Sequence, residues 1–230
     1  MRMRRKPNLD ERTARCAHML VSDPEALRGR WLDEVHPVGM YTDGSGPDKG
    51  RRERLLYDAL HIELGCGKGL FTVESAKAEP GTLFVAVEKI SNVLVIALER
   101  AAVECLRNVL FINTLVDNIA EYFAGGEVSR IYINFCDPWP TNRHKKRRLT
   151  GRRFLEMYKL VLRPDGEIHF KTDNLPLFEF SLREFEDCGF EILETERDLH
   201  RSGPVGVMTD YELKFYSLGL PIYKCVARLK

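Results

Sequence analysis

Little net charge is available to this 230-residue chain: 35 lysines and arginines stand against 34 aspartates and glutamates, a formal net of +1. A polyanion site therefore has to come from local clustering, not from overall charge. The six cysteines (16, 66, 105, 136, 188 and 225) include no C-x-x-C pair, which argues against a zinc site or a disulfide framework. Several of these thiols sit inside apolar runs, where they pack as small hydrophobes, and a reducing cytoplasm is the expected setting. No apolar run is long enough to cross a membrane. The basic start, with Arg2, Arg4, Arg5 and Lys6, is not followed by the apolar stretch of a signal peptide. There is no internal repeat, and no cluster of His, Cys and carboxylates that suggests a metal. What remains is an ordinary globular composition, 44% hydrophobic and 30% charged, with ample length for a core.

The chain reads in two parts. Residues 1–59 suggest an N-terminal helical extension and loop. Within it, residues 11–21 are helix-compatible, and Ser22-Asp23-Pro24-Glu25 looks like a cap opening a second short helix that runs to about Trp31. Trp31 is expected to anchor this arm to the core. Residues 36–59 carry Pro37, Gly39, Gly44, Gly46, Pro47 and Gly50 and read as a loop. From residue 60 to 230, strands alternate with helices. Strands are expected over 60–64, 83–87, 109–114, 130–135, 167–172, 191–195 and 223–229. Helices are expected over 70–78, 91–106, 151–162 and 175–188, with Gly166 and Gly189 as helix stops. Apolar strands separated by such helices predict an α/β fold: a mostly parallel, seven-stranded sheet covered on both faces. In such sheets ligands gather at the carboxyl ends of the strands.

After the first strand comes Glu63-Leu64-Gly65-Cys66-Gly67-Lys68-Gly69. Its alternate glycines allow close backbone approach to a ligand. Leu70 stands where a dinucleotide fingerprint needs glycine, which argues for a ligand with less negative charge than a pyrophosphate. After the second strand comes Glu88, placed to accept hydrogen bonds from ribose hydroxyls. After the third come Leu115, Val116 and Asp117; Asp117 can read an adenine amine or cap the helix that follows. After the fourth comes the run IYINFCDPWPTNRHKKRR, residues 131–148. It delivers a carboxylate at Asp137, a stiff loop with an indole at Trp139, and then a block of cations.

The glycine turn, the acid before it and the ribose acid resemble the class I, Rossmann-like S-adenosylmethionine-dependent methyltransferases. With DPWP followed by Arg143-His144-Lys145-Lys146-Arg147-Arg148, the resemblance narrows to the bacterial tRNA (guanine-N7-)-methyltransferases. Phe170-Lys171-Thr172-Asp173-Asn174, Asp198-Leu199-His200 and Thr209-Asp210-Tyr211-Glu212 match the same family, over about residues 55–230. The resemblance implies S-adenosyl-L-methionine as cofactor, no metal, and tRNA as partner, in a monomer or homodimer. It assigns Asp137 as the active-site acid at the methyl donor. Glu63, Gly65, Gly67, Glu88, Lys89, Leu115 and Asp117 fall in its cofactor group. Trp139, Thr141, Asp173, Thr209, Asp210, Tyr211 and Glu212 fall in its substrate group, and Arg143, His144, Lys145, Lys146, Arg147 and Arg148 contact RNA. Two positions depart from the family. Leu115 replaces its usual Asp, so adenine reading passes to main chain or to Asp117. Thr141 replaces a substrate-binding Lys.

The DPWP loop alone also suits methyl transfer to an exocyclic amine, on adenine or glutamine. The Leu115 and Thr141 departures would suit an RNA-binding relative without activity. By itself, Thr209–Glu212 also reads as a helix-capping box.

Overall fold

The computed structural model describes residues 5–34 and 57–230. The loop expected over 36–59, apart from its last three residues, lies outside the described residues, as do Arg2 and Arg4 of the basic tip. Seven strands form one sheet: β1 Ala59–Leu64, β2 Thr82–Val87, β3 Val109–Ile112, β4 Val128–Asn134, β5 Leu162–Thr172, β6 Phe190–Glu196 and β7 Tyr223–Leu229. Their spatial order is β3-β2-β1-β4-β5-β7-β6. The first five run parallel, and β7 pairs antiparallel with both β5 and β6. Every residue of β2 is buried, as a parallel strand covered on both faces requires.

Helices α1 Leu9–Arg15, α2 Trp31–Glu34, α3 Leu70–Ala78, α4 Ser91–Val103, α5 Ile119–Tyr122, α6 Arg152–Val161, α7 Leu175–Asp187 and α8 Asp210–Ser217 complete the described elements, with short 3-10 turns between some of them. Two apolar layers form, one on each face of the sheet. In one, Leu60, Ile62 and Ile131 meet Phe154, Leu155 and Phe178 of α6 and α7. In the other, Phe84, Phe111 and Tyr132 meet Phe71 and Val73 of α3 and Leu94 and Leu98 of α4. Gly69, the third glycine of the turn, belongs to this packing. A Cβ there would stand 2.5 Å from that of Ala97, and its φ of +76° suits glycine.

The N-terminal segment reaches both layers. Trp31 is fully buried, stacks on Phe123 with centroids 5.1 Å apart, and donates its indole N–H to Tyr122 O at 2.9 Å. It is an anchor, as expected. Cys16 and Met19 fill the opposite layer, Arg12 forks Glu99 of α4 at 2.6 Å through two nitrogens, and Leu20 bridges to Phe111 at the open edge of β3. That bridge covers part of an edge that would otherwise offer unpaired backbone groups. The local elements are shorter than expected. Residues 17–19 and 25–27 are 3-10 turns, although Asp23 does accept from Ala26 N–H.

Gly189, with φ +80°, follows the end of α7 as expected. Gly166 does not stop a helix. Leu162 ends α6 and already pairs with Val128; the strand then bulges through Asp165, at φ +61°, before Arg130 pairs with Glu167. A side chain on Gly166 would meet Arg163 O at 2.8 Å, so the glycine serves the bulge.

On the α3 face, a polar strip crosses the sheet. Glu167 binds His169 at 2.7 Å and Arg130 at 3.2 Å, while His61 Nδ1 has no hydrogen-bond partner and Glu79 lies 3.7 Å away. Burial, with the Arg130 charge adding to it, lowers His61 to about 3. Burial likewise lowers His169 to about 4, against the pull of Glu167. The unfolded chain protonates both near 6.5. Stability from keeping them neutral is thus complete above that value and is lost as pH falls toward the folded values. Urea unfolding from about pH 7 to 4.5 should lose up to about 1.4 kcal/mol per pH unit per histidine. A His61→Phe, His169→Gln double variant should flatten this slope; an equal slope would show that neither imidazole is held neutral.

Candidate active site

The strand order reverses between β1 and β4, which pair directly, so their carboxyl ends open side by side. On the β1 side, Gly65 and Gly67 take φ +81° and +57°, and a Cβ on either would meet nothing within 4 Å. The turn is tied to β2 by Gly65 and Cys66 N–H groups donating to Val87 O, at 2.8 and 3.1 Å. Glu88 accepts from Gly67 N–H at 3.1 Å and Ile90 N–H at 2.8 Å. It is therefore a brace between the glycine turn and the start of α4, and its remaining lone pairs stay available. Lys89 beside it is exposed.

Glu63, expected in the cofactor group, is engaged within the protein. It is 2% exposed, takes a hydrogen bond from Thr72 Oγ1, and accepts from Asn134 Nδ2 at 3.0 Å. Burial pushes its carboxyl above the usual range, opposed by those two bonds. The side chain joins the end of β1 to the end of β4 beneath the site instead of facing outward.

At the end of β3, Leu115 is 54% exposed and offers an apolar face. Asp117 neither caps the following turn nor α5; it pairs with Arg153 of α6 at 2.5 Å. The capping expectation is thus corrected, and the carboxylate expected to read an adenine amine is already engaged by Arg153.

Asp137 is exposed, two residues past a backbone feature the sequence did not announce. Phe135 and Trp139 both lie in the left-handed region, at φ +52° and +42°. Bulky residues rarely adopt it, and each costs of order 1–3 kcal/mol. Such strain on both sides of a carboxylate points to a loop shaped for function. Trp139 is half-buried, with the His144 ring edge-on at 5.5 Å and the Arg147 guanidinium over its ring at 4.9 Å. Thr141 is exposed, with its hydroxyl 3.2 Å from His144 Nδ1.

The cation run divides. Arg143, Lys146 and Arg147 are exposed. Lys145 leans on Glu184 at 3.3 Å and over Phe180 at 4.8 Å. Arg148 is half-buried and turns back onto the DPWP loop, contrary to the expectation of an RNA contact.

The segment at 209–212 also divides. The capping box forms: Glu212 N–H donates to Thr209 Oγ1 at 2.9 Å, and Thr209 N–H to Glu212 Oε2 at 3.3 Å. Glu212, expected in the substrate group, is fully buried. It receives Lys171 Nζ at 3.0 Å on both oxygens and lies 2.9 Å from His200 Nε2. Val205 N–H donates to His200 Nδ1 at 3.2 Å, which leaves Nε2 as the ring nitrogen that donates to Glu212. Asp210 forks Arg100 of α4 at 2.6 and 2.7 Å, and Arg100 also donates to Lys68 O at 3.3 Å. Tyr211 alone of the four is exposed. Its ring lies 5.2 Å from Phe135 and is stacked on Phe215 at 4.6 Å, and burial, with the Asp173 charge nearby, raises its pKa. Tyr211 thus packs on Phe135, just past the end of β4, with Asp173 near it. Phe135, Lys171, His200 and Arg100 were not singled out as functional from sequence, although Lys171 and His200 stand inside stretches that matched as motifs.

Among the described residues no helix is long and apolar enough to cross a membrane. The 16S rRNA methyltransferase KamB superposes with a TM-score of 0.61 at 15% identity, covering 76% of this chain and 89% of that one. TrmN from Thermus thermophilus gives 0.55 at 18% identity, over 76% of this chain and 45% of its own. The fold is therefore that of the Rossmann-like methyltransferases. A family model described as "Putative methyltransferase" matches residues 58–225. The tRNA (guanine-N(7)-)-methyltransferase of Geobacillus thermodenitrificans (strain NG80-2) is 42% identical over 99% of this chain and 97% of its own. That of Lactococcus lactis subsp. cremoris (strain MG1363) is 40% identical over 99% and 98%. This chain belongs to the tRNA (guanine-N(7)-)-methyltransferase family.

Proposed function

We propose that this protein transfers a methyl group from S-adenosyl-L-methionine to N7 of guanine in tRNA, at a guanosine of the variable loop. One observation carries the reading. A glycine turn open to a ligand adjoins, across the β1/β4 junction, a carboxylate loop that runs directly into exposed cations. The near-full-length likeness to tRNA (guanine-N(7)-)-methyltransferases supports it, and favours it over transfer to an exocyclic amine.

The residues present suit the cofactor. Gly65 and Gly67 leave open space above the turn, and Glu88 stands beside them as a pure acceptor, the right partner for two ribose hydroxyls. Leu115 can line an adenine with apolar surface. With Asp117 held by Arg153, the adenine edge falls to main-chain groups. The cofactor, when bound, supplies an electrophilic methyl on a sulfonium centre.

Guanine N7 already presents an in-plane lone pair and carries no proton, so the chain needs no strong base; alignment supplies much of the rate. Asp137 and Asp173 are the orienting carboxylates. They accept from guanine N1–H and its exocyclic amine, which adenine does not offer in that pattern, and they offset the positive charge that grows on the purine. Trp139 and Tyr211 give aromatic surface for a base drawn out of its stack. Arg143, Lys146 and Arg147 take phosphates, with the salt sensitivity that implies.

Unmodified tRNA incubated with labelled donor should gain label and become cleavable by reduction and aniline within the variable loop. Label on an exocyclic nitrogen, with an intact strand, would move the protein to the amine methyltransferases. No label and no heat of donor binding in calorimetry would leave an RNA-binding protein without activity.

A further inference from the structure

We infer that Arg148 is a positioning residue for the Asp137 loop, and not one of the phosphate contacts its place in the cation run suggests. The guanidinium gives Nε to Pro138 O at 3.1 Å and to Trp139 O at 3.2 Å, and Nη2 to Trp139 O at 2.9 Å. Its other support is the ring of Phe180 on α7, 4.4 Å from the guanidinium carbon. The side chain is thus clamped between the loop and a helix of the core, while Arg143, Lys146 and Arg147 around it remain exposed.

The loop has particular need of such a brace. Pro138 and Pro140 have no N–H to place in a ladder. Phe135 and Trp139 hold left-handed backbone that persists only where the surroundings over-determine it. A planar fork that reaches two successive carbonyls does this; a lysine, with one nitrogen at the end of a flexible stem, cannot serve both equally. The neighbouring arginine works on the other part of the loop, its guanidinium over the Trp139 ring at 4.9 Å. Holding Pro138 and Trp139 sets the direction in which Asp137 leaves β4. The inference rests on the proposed role of Asp137 in methyl transfer, and it predicts a loss in turnover without a loss in RNA attraction.

The test compares Arg148→Met, which keeps the packed stem and removes the N–H groups, with Arg148→Lys and Arg147→Met. Arg148→Met should lower kcat at least roughly tenfold through misplacement of the loop. Its tRNA Kd should stay within about twofold, and the salt dependence of binding should match that of the parent protein. Arg147→Met should reduce the slope of log K against log salt by roughly one. Arg148→Lys should recover part of kcat, since an ammonium can reach one carbonyl. Acrylamide quenching reads the loop directly: of the two tryptophans, Trp31 is fully buried, so quenching reports on Trp139. It should rise in Arg148→Met.

A salt slope that falls as in Arg147→Met would make Arg148 a phosphate contact and overturn the inference. Unchanged kcat and unchanged quenching would overturn it as well. Raised quenching with unchanged kcat would uphold the brace and overturn the catalytic reading of Asp137 instead. Should Arg148→Met fail to fold, Arg148→Lys carries both readouts.

Discussion

Replacing Asp137 by Ala should abolish measurable turnover, a loss of at least roughly 10²–10³-fold, comparable to removing one preorganised electrostatic group from an active site. The expected result is specific because of where the residue stands. Asp137 is exposed at the end of β4, so its removal should leave stability within about 0.5 kcal/mol of the parent. Donor and tRNA affinity should persist, since the glycine turn, Glu88 and the exposed cations are untouched. A variant that binds both ligands normally and does not transfer methyl would locate the defect in orientation and in stabilisation of the developing charge. Turnover equal to that of the parent would remove Asp137 from the mechanism.

The second large effect concerns stability. Glu212→Ala should lower the unfolding free energy by about 3–5 kcal/mol, because it leaves a buried lysine without its counter-charge. Lys171 is 8% exposed, and burial holds its pKa below the usual lysine value despite the attraction of Glu212. The same change strips His200 of its partner and breaks the Thr209 capping box. Urea unfolding gives the energy, and residual activity should track the folded fraction with KM unchanged. A Lys171→Met, Glu212→Leu pair should regain much of the loss, since apolar replacement of a buried ion pair is often neutral or better. A Glu212→Ala protein of full stability with a raised KM would contradict the buried role and restore this carboxylate to the substrate.

That network shows what was legible in the sequence and what was not. The sheet could be read because its strands are short apolar runs with turn chemistry between them; the expected strand 223–229 is β7 residue for residue. Helices α3 and α7 begin at Leu70 and Leu175, where they were expected. The bulge at 163–166 was missed because Pro164-Asp165-Gly166 is written the same way in a helix stop and in a strand irregularity. At the site, the glycine turn, Glu88 and Asp137 were visible because backbone freedom and a carboxylate at a strand end have recognisable residue types. Direction was not visible. Arg147 and Arg148 are adjacent and chemically identical, yet one lies exposed over an indole and the other is clamped on Phe180. Glu63 and Glu212 carry the charge that a ligand contact would need, yet both are buried and hydrogen-bonded within the protein. Phe170–Asn174 is far in sequence from Asp198–His200 and Thr209–Glu212, and what joins the three is a Lys171–Glu212–His200 contact that only the fold creates.

A crystal structure of the protein with S-adenosylhomocysteine tests the central spatial claim most directly. The ribose hydroxyls should lie on Glu88, the ligand should rest against Gly65 and Gly67, and the sulfur should face the Asp137 loop. A ligand bound elsewhere, or Asp137 and Trp139 turned away from the sulfur, would contradict the account.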